Sequence, residues 1–274
     1  MTEAVMAGRL ELKSTARAAL DTAATFWWVV AALGQWLFAL YVAIVFGPML
    51  LQDGIEGLKQ SHLFNGFIPG DTVGNYAVAG HILLAVIIMG AGPLQLIPQI
   101  RARFPVFHHW TGRSYILAAV TSSLAGLYLI WTRPIFGQLV NNISTSFSGV
   151  LVIVFAAIAL RNAMARDIRT HRRWALRLFM VASSVWFLRV GTRLWVFFTG
   201  GVGIVPGTFT GPFVVAAHIG QFLLPLAVLE LYLRARDGDD ARLKLATAAG
   251  LVVLTILMGI GIFLVATGSW FKRM

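Results

Sequence analysis

The 274-residue sequence is 58% hydrophobic and only 12% charged, with a mean hydropathy of +0.78, more apolar surface than a soluble core can absorb. Its formal net charge of +11 would suit nucleic acid only if the basic side chains shared a polar face, and here they sit between apolar runs. The absence of cysteine excludes thiol chemistry, iron–sulfur clusters, thiolate zinc sites and disulfides.

Residues 1–25 carry Arg9, Lys13 and Arg17, and the apolar run behind them is too long for a signal-peptide core. They read as a cytoplasmic segment leading into an uncleaved first span. Crossing the hydrocarbon takes roughly 20 helical residues. Suitable runs occur at 26–51, 76–100, 113–132, 146–163, 173–198, 212–233 and 246–270, the fourth being the shortest. The expected fold is all-α: a polytopic transmembrane helix bundle of about seven spans, with residues 1–274 forming a single integral membrane domain.

Basic residues fall on alternate loops. Arg101, Arg103 and Arg113 follow the second run; Arg161, Arg166, Arg169, Arg172, Arg173 and Arg177 separate the fourth from the fifth; Arg234, Arg236, Arg242 and Lys244 separate the sixth from the seventh. The opposite loops carry only Lys59, Arg133, Lys272 and Arg273. Cationic loops are retained in the cytoplasm, so the pattern predicts an N-in, C-out chain in the cell inner membrane. Trp27, Trp28, Trp110, Trp131, Trp174 and Trp270 fall near span ends, as interfacial indoles do. Gly90, Gly92, Pro93, Pro98, Pro225, Gly259 and Gly261 read as kinks and close-packing positions, and Gly201, Gly203 and Gly207 as an outer turn.

Ionisable groups are costly inside a membrane, which directs attention to the histidines and to two arginines. His81 and His218 lie at similar depths from the outer ends of the second and sixth spans. His108 and His109 open the third span from the inner side, and His171 opens the fifth. Helix-borne imidazoles facing one another across a bundle form a bis-histidine haem cage. The expectation is one or two haem b groups, an outer one on His81 and His218 and an inner one on His171 and His108, with His109 as the alternative. Arg189 and Arg193 share one face of the fifth span, where haem propionates need countercharge. Each feature also has a plainer reading: imidazoles bonded to backbone carbonyls, arginines reaching outward, and an inner face that meets lipid headgroups. Glu230, the only acid within an expected span, reads as half of a structural ion pair with an inner arginine.

No His-Glu-x-x-His, phosphate loop or Gly-x-Ser-x-Gly elbow is present, and no motif decides whether the chain is an enzyme. The leading expectation is electron transfer across the membrane, with a quinol or another small reductant as donor. The alternative is a non-catalytic bundle, either a small-solute carrier or a protein that interacts with lipid or aids assembly. In either case the partners are the bilayer and, at the inner loops, anionic headgroups, with no nucleic acid.

The stretch Arg101, Arg103, Pro105, His108, Trp110, Gly112, Arg113 and Tyr115, followed by His171, Arg172, Trp174 and Arg177, resembles the bacterial membrane family named domain of unknown function 2306. The family pattern reads His-Arg-Trp-x-Gly-Arg and His-Arg-x-Trp-Met in these two loops, and here His109 and Ala175 stand at two of those places. Upstream, His81 with Gly90, Gly92, Pro93 and Gln95 is similar to the family's second span, and Arg193 with Trp195 to its later ending. The resemblance is carried by residues 76–200, with a family core expected over 76–233 and His218 beyond the matched stretch. It implies no activity. The layout of helices and histidines is also similar to that of transmembrane di-haem cytochromes b, an analogy of layout that implies haem ligation by the residues above. Spans two with three and four with five each place a His, Trp and Arg cluster at the start of the second helix, as a degenerate internal repeat would.

Overall fold

The computed structural model describes residues 3–61, 63, 65–133 and 138–274, with the side chains of residues 1–9, Arg9 included, outside that description. The helices are α1 (Glu3–Asp53), α2 (Thr72–Gln95), α3 (Pro98–Arg103), α4 (Pro105–Thr132), α5 (Leu139–Met164), α6 (Ile168–Ala182), α7 (Ser184–Thr199), α8 (Pro212–Asp237) and α9 (Ala241–Val265). A 3-10 turn follows α1 at Gly54–Gln60, and a π turn follows α9 at Ala266–Trp270. Among the described residues, six helices are long and apolar enough to span a membrane, or seven if the bent pair α6–α7 is counted as one span. The protein is therefore a multi-pass membrane protein.

Several boundaries differ from those expected. The N-terminal segment is not separate from the first span: both belong to α1, whose 51 residues extend about 77 Å at 1.5 Å per residue. That is more than twice the roughly 30 Å hydrocarbon thickness. The excess is held by packing, since Leu20 and Ala23 are buried with Ala235, Ala248 and Leu251, and Lys13 lies 3.8 Å from Asp239. The second span ends at Gln95 and not at 100, because Pro98 lacks an N–H and pushes Ile97 to an extended ψ of 113°. Pro98 and Pro105 then each start a helix, so α4 begins earlier than expected.

The fifth span is broken. α6 and α7 meet at 51° around Ser183, whose hydroxyl donates to the Phe179 carbonyl at 2.8 Å and accepts from Gln35 at 3.0 Å. A serine bonded back one turn bends a helix. Pro93, by contrast, leaves α2 continuous. The indoles of Trp28 and Trp36 on α1 donate to the carbonyls of Pro93 (3.2 Å) and Gly90 (3.1 Å), tying the two helices together. Trp28 is thus a structural donor, and Trp270, expected in an interfacial belt, is 2% exposed in the core.

α1 packs along α9 and α2, α2 on α4, α4 on α5, α5 on α6 and α8, and α7 on α8 and α9. Gly261 lets α9 meet α7, because a Cβ there would lie 2.9 Å from the Val190 carbonyl oxygen. One end of the bundle gathers the arginine-rich connections. There Arg177 makes a two-pronged ion pair with Glu230 (2.7 and 3.0 Å), as the sequence leads one to expect. At the opposite end Arg133 is buried, with bonds to Asp71 (2.7 and 3.0 Å), Asn75 (2.7 Å) and the Asn65 carbonyl (2.8 Å). The glycine turn after α7 folds as expected, with Gly201, Gly203 and Gly207 all at positive φ.

Candidate functional site

A cavity of about 370 Å³ lies among α1, α2, α4, α5, α6 and α7, in the half of the bundle remote from the arginine-rich end. It falls within the roughly 300–1,000 Å³ typical of small-molecule sites. His81 borders it from α2. Its Nδ1 stands 2.9 Å from the Ser122 carbonyl oxygen and 3.0 Å from the Ser122 hydroxyl on α4. A carbonyl only accepts, so the ring proton sits on Nδ1 and the lone pair on Nε2. The ring lies across Gly126, where a Cβ would come within 3.3 Å of its Cε1.

Arg189 borders the same cavity from α7, with its guanidinium 5.5 Å from the centre of the Phe38 ring. Its side chain keeps accessible surface and borders the cavity. Ser122, Ser123, Thr145, Ser148 and Ser184 add hydroxyls to the lining, in which no carboxylate occurs among the described residues. Ser148 and Ser184 bond each other at 2.9 Å. The Thr145 hydroxyl and the Trp186 indole N–H, both on the lining residues, are buried without a hydrogen-bond partner among the described residues.

His218 and Arg193 do not join this site. His218 is fully buried on α8, its Nδ1 2.8 Å from the Val214 carbonyl and its ring against Phe209. α8 packs on α5, α6, α7 and α9, whereas α2 packs on α1 and α4. Arg193 is exposed one turn beyond Arg189.

At the arginine-rich end, His108 and His171 are both half-buried and within electrostatic reach of each other, while His109 is exposed. The Nδ1 of His171 stands 2.8 Å from the Ala159 carbonyl. Gln95 lies against Thr111 at 2.5 Å, and the amide orientation that satisfies both its ends brings its NH2 within 3.2 Å of the His108 Nδ1 and carbonyl. Partial burial, and then the Arg172 guanidinium, hold Arg101 on α3 below its ordinary range. Among the described residues, no three His, Asp or Glu side chains converge as a metal cluster. A haem iron takes at most two protein ligands, so the lack of such a cluster does not bear on haem ligation.

Among the cavity residues not marked in advance are Ser122, Gly126 and Arg273. Ser122 and Gly126, four apart in α4, are the kind of small-residue pair that lets a neighbouring helix approach closely, and that spacing could have singled them out. Arg273 lies beyond α9 and reads in sequence as a loop charge, yet it borders the cavity. Nothing local to it signals that position.

No curated protein and no solved structure matches the chain. The match to a known family runs over residues 78–232, past the 76–200 stretch that carried the resemblance and within the expected 76–233 core, and so takes in His218 as well as His81, His108 and His171. The bundle of apolar helices, the two His-Trp-Arg clusters and that match together place the chain in the family of predicted membrane proteins designated DUF2306.

Proposed function

We propose that the bundle binds b-type haem and carries electrons across the membrane, with His81 as an axial ligand in the cavity and His108 with His171 holding a second haem at the arginine-rich end. The observation that carries this reading is His81 itself: a tautomer fixed through Nδ1 by Ser122, beside a cavity that also holds a guanidinium. Ligating histidines characteristically donate their other ring N–H to a carbonyl in this way. His171 and His218 have the same restraint, from Ala159 and Val214. Gly126 makes room for the His81 ring, and Arg189 would supply countercharge to the carboxylates of a macrocycle. Haem brings one-electron chemistry, and these residues would bind and orient it. A quinol in the bilayer suits the role of electron donor, and anionic headgroups suit Arg101, Arg103 and Arg172. A plasma membrane is the location that this function and the charge pattern imply.

The test is optical. The detergent-solubilised protein should show reducible Soret and α bands; His81→Ala should remove one haem and His171→Ala the other. His218→Ala, measured beside them, reports whether α8 supplies a ligand. A sample that stays colourless after incubation with haemin ends the proposal.

A further inference from the structure

We propose that Arg189 and Arg273 form a two-guanidinium clamp that holds the carboxylate of an otherwise apolar ligand in the cavity. Both side chains border it, and they stand near enough to repel one another. Among the described residues no lining side chain is acidic, and neither arginine is in an ion pair. A guanidinium on a membrane helix without an acidic partner, as at Arg189, is expensive, and Arg273 adds a second positive charge from an exposed position at the cavity edge. The Phe38 ring and the neighbouring Tyr41 offset part of the cost for Arg189.

Arg273 is held in place by folded structure. The π turn Ala266–Trp270 prolongs α9 with helical backbone angles, and Trp270 packs against Phe38 (5.2 Å between ring centres) and Tyr41 (5.9 Å, nearly parallel). Phe271 and Arg273 then donate backbone bonds to Ala266 (2.9 Å) and Trp270 (3.0 Å). A structured turn therefore delivers the second cation to the cavity that Arg189 enters from α7. Apart from His81, the remaining lining is mainly apolar and hydroxylic, which selects a ligand with an apolar body and an anionic head. The buried Thr145 hydroxyl and Trp186 N–H offer such a ligand further polar contacts. The clamp follows from the cavity's charge and so goes beyond the haem reading. Haem propionates and a fatty-acid carboxylate share the recognised chemistry.

The experiment compares acids with their neutral esters on the full chain in dodecyl maltoside: palmitate against methyl palmitate, and haemin against haemin dimethyl ester. The expected result is that at least one acid binds tenfold or more tightly than its ester. Arg189→Gln or Arg273→Gln abolishes that preference, and Lys272→Gln, at an exposed neighbour outside the lining, leaves it intact. His81→Ala leaves any palmitate preference in place, so failure of haem ligation and failure of the clamp give different results. Equal binding of acid and ester in both pairs, or a preference that survives both arginine substitutions, overturns the proposal. Should Arg189→Gln not fold, Arg273→Gln, in a turn beyond the helices, decides the matter.

Discussion

Replacing Arg177 by methionine keeps most of the side-chain volume and strands Glu230 without its partner. The pair is two-pronged, at 2.7 and 3.0 Å, and its side chains are 16% and 39% exposed. Glu230 lies seven residues before the end of α8 at Asp237, about 10 Å along the helix axis. Exposed pairs contribute about 0.2–1 kcal/mol. Removing one partner of a buried pair costs about 3–5 kcal/mol. The partial exposure places Arg177→Met between these limits, at about 2 kcal/mol. For a chain of this size, a loss of that order lowers the unfolding midpoint by about 4–8 °C. Thermal unfolding in detergent, run as a double-mutant cycle with Glu230→Gln, measures it. The double variant should recover about 1 kcal/mol relative to the sum of the singles, because no unpaired carboxylate remains. Strictly additive effects, or an Arg177→Met variant within about 0.5 kcal/mol of the parent, would refute the assignment of this pair as a structural link between α6 and α8.

Other consequences follow from the same geometry. The Gly74 N–H, and then Arg133, hold the Asp71 carboxyl below its ordinary 3.8, so its contribution is complete above that value and disappears as pH falls through the lower folded value. Asp71→Asn should therefore flatten the acid limb of unfolding midpoint against pH below about 4; an unchanged limb would separate the Arg133 clamp from acid stability. Ser183→Ala leaves the buried Gln35 amide without its acceptor and should cost about 1–3 kcal/mol, read by denaturant unfolding. Gly261→Leu drives a side chain into the Val190 backbone and should cost at least about 1–3 kcal/mol, seen as lost folded yield in size-exclusion profiles; normal yield would contradict the close α7–α9 approach.

Local chemistry in the sequence determined a large part of this molecule. In a bilayer a chain must satisfy its own backbone hydrogen bonds, so long apolar runs become helices, and Pro98 and Pro105 must open new ones. The glycine turn after α7 and the pairing of Glu230 follow from the same local economy, since positive φ needs glycine and a membrane acid needs a cation. The bend at Ser183, the continuation of α1 through both expected segments, the separation of His81 from His218 and the arrival of Arg273 at the cavity were decided only by tertiary packing. Lipid is as apolar as the bundle interior, so the pattern of apolar residues along a span does not reveal which face meets another helix. Depth along each span can be counted from residue numbers, whereas the partner across the bundle is set by how all the helices pack at once.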